Sequence, residues 1–367
     1  MTDFLPDNFR ALIRISLGLQ PHFDHLLTEG EWRALYEEAQ RQSLLGVLFE
    51  GVRTEMAWQR LEDDLPGVIY DWMAEMLYLE QQNGLADAAV AKVYARLRAE
   101  GFRACILKGQ GVARYYPEPA RRQCGDIDVW VDAPPRRVLA FVRRFVPRPH
   151  PVYHNVACPM PEFEEIELHF RPSWLYNPLR NRRLQRWFDA CRAEQFAREQ
   201  PFGGGAACFP TLRFDRVYIL LHIYRHVFAE GIGLRQLLDY YYILRQGCSE
   251  AEREEALSVF RRLGLLPFVA ALMFIMQDLF GLEERFLLLP PDAERGAFLL
   301  AEVAQAGNFG LYDKRIDRAA RGSAAAFFRH LRRNLAFFSQ YPSEVFWTPW
   351  WKIWHLFWRK AHGHWLV

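Results

Sequence analysis

None of the six cysteines stands in a CxxC pair, and neither sign of charge is in real excess, with 46 Lys and Arg against 44 Asp and Glu. Scattered thiols at 105, 124, 158, 191, 208 and 248, with no secretory leader ahead of them, read as reduced side chains rather than a disulfide framework or a structural zinc site. The balance of charge argues against a nucleic-acid coat protein. No uninterrupted apolar stretch reaches membrane-spanning length, and the start, MTDFLPDNFRALIRISLGL, carries acids and a proline where a signal peptide has a basic flank. A cytoplasmic location is the expectation. Internal repeats and low-complexity segments are also absent.

What is present is a globular composition, 51% apolar over 367 residues, long enough for two or three domains. Three textures follow one another. Up to about residue 100 the chain is helical: Trp32, Leu35, Tyr36 and Ala39 form one stripe, and Leu85, Ala89, Val93 and Leu97 another, with Gly101 as its stop. From 101 to 175 short strand-like runs appear, FRACIL, DIDVWV, PVYHNVAC and EEIELHF, with an amphipathic helix in PPRRVLAFVRRF. From 176 to 330 the texture is helical again, with FGGGAAC as a hinge, and 331–367 is a Trp-rich basic segment. The expected fold class is α+β, a small mixed β-sheet core flanked by N-terminal and C-terminal helical regions.

Within CGDIDVWVD, alternation sends Ile127, Val129 and Val131 to one face while Asp126, Asp128, Trp130 and Asp132 share the other. Two acids on one face suit either solvent or a divalent cation that needs oxygen ligands. EFEEIELHF adds Glu165, Glu167 and His169 on one side of a second strand. Upstream, LKGQG breaks a strand at Lys108 and leads into a short helical turn, a geometry in which backbone amides can face a phosphate.

Together LKGQG, RRQCGDIDVWVD, HNV, EIELHFRP and GIGLRQLLDYYYIL resemble the polymerase-β-like nucleotidyltransferase superfamily, in an uncharacterised bacterial branch with helical flanks. The resemblance spans about 100–245. It implies that Asp126, Asp128 and Glu167 are the catalytic carboxylates and hold Mg²⁺ or Mn²⁺. It also implies that Gly109 and Gln110 line the triphosphate of an NTP such as ATP, and that Lys108 or Arg121 and Arg122 supply positive charge. Two positions depart from the superfamily pattern: Gln110 stands where serine is usual, and Glu167 where aspartate is common.

Plainer readings stand beside these. The acids can be a solvated strand face, Glu165 surface, and Arg121 and Arg122 a solvated charge run. His154 and His169 can be packed, hydrogen-bonded residues. His222 and His226 are one turn apart without the Glu of an HExxH motif, and read as structural or cleft-lining. Arg235 and Asp239, four apart, read most simply as an ion pair. The tail YPSEVFWTPWWKIWHLFWRKAHGHWLV suits docking on the protein itself or a partner, a stacking platform for nucleic acid or an interfacial helix; docking is the default, with peripheral membrane contact through 341–367 as the lesser expectation.

The expected activity is Mg-dependent transfer of NMP from an NTP to a hydroxyl of a small-molecule, sugar or protein acceptor. Processive work on nucleic acid would call for a more basic groove. The alternative is a weak or inactive nucleotidyltransferase-like binding module, for which Gln110 and Glu167 are the best support.

Overall fold

A computed structural model describes residues 5–59, 65–313, 327 and 331–363. The N-terminal flank is helical: α1 (Asp7–Ser16), α2 (Glu29–Gln42), α3 (Leu45–Trp58) and the long α4 (Gly67–Ala99). Thr28 and Glu31 form a capping box that starts α2, and Ser43, in the left-handed region at φ 58°, separates it from α3. Of the first stripe Trp32, Leu35 and Ala39 are buried as the spacing predicts, and Tyr36 is half-buried at its edge. The second stripe is only partly right. Ala89, Val93 and Leu97 are buried, but Leu85 is 56% exposed and Ala86 takes its place. A strict four-residue step advances about 40° per turn, so three steps rotate Leu85 off the face that Leu97 occupies.

The mixed zone folds into a four-stranded sheet in the order β1-β2-β4-β3, from β1 (Ala104–Ile106), β2 (Ile127–Val131), β3 (Asn155–Ala157) and β4 (Ile166–His169). β1 runs antiparallel to β2, β2 parallel to β4, and β3 antiparallel to β4. The four strand-like runs of the sequence are these four strands. Between β1 and β2 lies the short helix α5 (Gln110–Ala113), and α6 (Pro135–Val142) follows β2 as the helix expected there.

Both faces of β2 are covered, unlike a half-solvated strand. Trp130, on the acid side, is wholly buried against Phe196 and Phe214 at 4.8 and 5.7 Å between ring centroids. Asp132 is paired with Arg103 and Arg192. The fold is therefore α+β, a small mixed sheet with helices on both sides.

The remaining elements are α7 (Pro178–Gln195), the hairpin β5 (Glu199–Phe202) and β6 (Gly205–Cys208), α8 (Leu212–Ala229), α9 (Leu234–Arg245), α10 (Glu250–Leu263), α11 (Leu266–Asp278), α12 (Ala293–Ala306) and α13 (Pro342–Gly363). The expected hinge at FGGGAAC is instead the turn of this hairpin. Gly203 and Gly204 both have positive φ, which a two-residue hairpin turn requires. A Cβ on Gly203 would lie 2.0 Å from the Asp87 carbonyl oxygen, so the turn is pressed against α4. Buried apolar residues form one continuous cluster from Leu5 to Val345. The parts of the C-terminal zone at 314–326 and 328–330, and of the Trp-rich tail at 364–367, lie outside the described residues. Among the described residues no helix is long and apolar enough to cross a membrane.

Candidate active site

Register alone brings the acids together. β2 and β4 are parallel neighbours with Asp128 opposite Glu167, and the next same-side position of β4 is His169. Asp128 is buried, and its Oδ1 accepts from His169 Nε2 at 2.7 Å. The same imidazole nitrogen is 3.5 Å from Glu167 Oε2, which also accepts from Asn155 Nδ2 on β3. Ligand atoms of Asp128, Glu167 and His169 all lie within 4.8 Å of one another. Asp126 sits at the mouth, its side chain 41% exposed, while Glu165 is exposed outside the cluster.

Lys108 enters from the end of β1. Its Nζ is 2.7 Å from Asp128 Oδ2 and 3.4 Å from Asp126 Oδ2. The turn that aims it depends on Gly109, whose φ of +49° is unfavourable for side-chain residues and whose added Cβ would sit 3.3 Å from the Asp126 carbonyl. The charges support one another. Burial alone would raise the carboxyls, but Lys108 and His169 hold Asp128 below its usual range, and His169 and Lys108 do the same for Glu167. Burial would lower His169, but hydrogen bonding to Asp128 and Glu167 raises it to about 8.

The carboxylates thus converge on a positive charge, and their donor set of several oxygens and one imidazole nitrogen fits a divalent cation. His169 is part of that cluster, whereas the sequence favours a packed, hydrogen-bonded residue over a ligand or base. The signal was its place two residues after Glu167 on the same strand face.

Other expected contacts fall elsewhere. Arg121 is paired with Glu50 and Glu80 on the N-terminal helices. Arg122 is buried and bound through both Nε and Nη2 to Asp239. Both guanidinium groups are thus paired with carboxylates of the helical flanks, where the sequence suggests phosphate clamps or a solvated charge run. The Arg235–Asp239 pair does not form either: Asp239 is taken by Arg122 and the Tyr116 hydroxyl, and Arg235 Nη1 donates to the Gln123 carbonyl at 2.8 Å. Gln110 is buried and donates to Asp87 and Asn83 of α4, so its amide secures the turn to the long helix.

Positive charge comes instead from α8. Arg225 Nη1 donates to His154 Nε2 at 3.2 Å, and Nη2 to His226 Nε2 at 2.8 Å. His154 in turn lies 5.5 Å from the His169 ring. Burial, reinforced by Arg225, lowers His154 well below its ordinary value and His226 to about 4, so both imidazoles are neutral acceptors. Burial also lowers His222, with His226, Lys108, Arg225 and Arg235 adding to it. Arg225 carries no sequence signature beyond its place in LLHIYRH, because only helix packing brings α8 over the sheet.

A family model described as an uncharacterised nucleotidyltransferase matches residues 28–281. Among solved structures, an antigenic nucleotidyltransferase-like protein from Paracoccidioides brasiliensis matches at 11% identity and a TM-score of 0.30, over 51% of this chain and 92% of that one. No curated protein matches. With the family match covering well over half of its length, the chain belongs to this uncharacterised nucleotidyltransferase family.

Proposed function

We propose that the protein transfers a nucleoside monophosphate from an NTP to a hydroxyl acceptor, with Mg²⁺ or Mn²⁺ held by Asp126, Asp128 and Glu167. The observation that carries this is the convergence of three carboxylates, Asp128 of β2, Asp126 just ahead of it and Glu167 of β4, on the ammonium of Lys108 and the imidazole of His169. Bound there, a divalent cation supplies Lewis-acid charge to the reacting phosphoryl group and the departing pyrophosphate.

The chain's own residues account for the rest. Lys108 and Arg225 offer charge to the triphosphate, and Arg235 adds to the field. Glu167, with a side chain 38% exposed, is ionised at neutral pH and takes the acceptor's proton. The acceptor oxygen forms its bond to the α-phosphorus as the bond to the β-phosphate oxygen breaks, and pyrophosphate leaves with that electron pair. Acceptors of the class are sugar, small-molecule or protein hydroxyls, in keeping with the chain's near-neutral charge.

Calorimetric titration with each NTP, with and without Mg²⁺ or Mn²⁺, tests the reading. Metal-dependent binding is expected in the wild type and is lost in Asp126→Asn/Asp128→Asn. Arg225→Gln weakens binding by roughly tenfold or more, the loss of one charge-assisted hydrogen bond. Arg122→Gln loses stability instead of affinity. A folded wild type that binds no nucleotide with either metal would sink the enzyme reading and leave a nucleotidyltransferase-like interaction module.

A further inference from the structure

A helix that is apolar on two opposite faces needs two covers, and α13 finds one of them within the described chain. Its inward stripe is docked: Trp351 stacks on Trp174 with centroids 3.8 Å apart, and His355 Nε2 accepts from the Tyr153 amide at 3.2 Å. The opposite stripe carries Phe346, Trp350, Ile353, Trp354 and Phe357, which are 44 to 63% exposed. At the helical period these five side chains fall within an arc of about 100°.

The charge around this stripe has one sign. Within α13 the one acid is Glu344, which is buried and accepts from the Tyr176 amide and the Tyr224 hydroxyl. Lys360 is exposed on the flank of this stripe, whereas Arg359, exposed, and Lys352, half-buried, fall on the opposite side of the helix. Arg182 of α7 lines a groove of about 460 Å³ together with Trp350 and Trp354. Arg171 lines a second groove, of about 840 Å³, beside Trp358.

We propose that α13 is an interfacial anchor: the outer aromatic stripe enters the headgroup region of an anionic bilayer, and Lys360 and Arg182 meet the lipid phosphates. Trp and Phe favour that boundary, and basic residues beside an apolar helix face add attraction to anionic lipid. A second copy of the chain fits less well, because it would bring these cations together without exposed acids on α13 to pair with them. The helix lies on the membrane rather than across it. Anchoring holds the catalytic sheet at the bilayer, since Tyr153 leads into β3 and Asn155 of β3 donates to Glu167.

Full-chain protein sedimented with phosphatidylcholine vesicles, with and without phosphatidylglycerol, tests this. Binding to the anionic vesicles is expected, with quenching of tryptophan emission by brominated acyl chains. The combined Arg182→Gln and Lys360→Gln variant binds about thirtyfold more weakly, the loss expected for two surface cations. Trp350→Glu and Phe357→Glu abolish binding while leaving the melting temperature unchanged, because both side chains are more than half exposed. Equal binding to both vesicles, or binding to neither, overturns the proposal. A dimer that Phe357→Glu dissociates, with no vesicle binding, assigns the stripe to a second copy.

Discussion

Lys108→Met probes the charge balance at the centre of the site. The lysine side chain is 15% exposed, and the Asp128 side chain it meets at 2.7 Å is 0% exposed. Removing one member of a buried pair leaves a desolvated charge and costs about 3–5 kcal/mol. Asp126, 41% exposed, rehydrates and adds little. Unfolding entropy of about 2.1 cal/mol/K per residue, over 367 residues, turns that cost into a fall in Tm of roughly 4–6 °C. The informative half of the experiment adds metal. A cation that binds only the folded state at a concentration of about 100 Kd stabilises by about 2.7 kcal/mol. In the wild type the cation competes with the ammonium for Asp128, and in Lys108→Met it does not. Calorimetric scans with and without Mn²⁺ should therefore show a larger upward shift in the variant, and Lys108→Met/Asp128→Asn should regain stability while losing the Mn²⁺ response. An unchanged Tm in Lys108→Met, or equal Mn²⁺ shifts in both proteins, refutes the reasoning.

Other consequences reach further from the cluster. A cation held by His169 as well as by the carboxylates would gain a nitrogen donor, which favours Mn²⁺ over Mg²⁺; the Mn²⁺-to-Mg²⁺ affinity ratio by calorimetry should then fall in His169→Gln, and an unaltered ratio removes His169 from coordination. Burial raises Glu344 from its ordinary 4.5 to about 7, so the folded state holds this proton more tightly than the unfolded chain does. Stability from this group is then greatest below pH 4.5 and declines as pH rises toward 7, by up to about 3 kcal/mol. Glu344→Gln should accordingly be more stable than wild type at pH 8 and no more stable at pH 4.5 in urea unfolding, and parallel pH curves would refute it. Gly203→Ala combines a φ of +57° with a Cβ 2.0 Å from the Asp87 carbonyl; a loss of about 2–3 kcal/mol is expected, and a neutral effect would mean that the hairpin turn does not press on α4.

Much of the site was legible because strand alternation is a local property. Asp126, Asp128 and Glu167 could be assigned to strand faces from spacing alone, and the glycine turn at Gly109 announced itself beside Lys108. The helical runs were equally plain, although Leu85 shows how a four-residue repeat overstates a face: the helix advances by more than the repeat assumes. The FGGGAAC stretch misled because glycines that serve a tight hairpin read the same in one dimension as glycines that serve a hinge.

Charge partners were another matter. Arg121 and Arg122 stand next to the acidic strand in sequence, yet Glu50, Glu80 and Asp239 claim them, while Arg225, about 100 residues downstream of that strand, reaches His154 beside the cluster. Sequence by itself determined the elements, the faces of the strands and the kinds of side chain available, since these follow from backbone periodicity. Tertiary structure alone decided which cation meets which acid. An ion pair depends on distances of a few ångströms between elements far apart in the chain, and no local pattern encodes them.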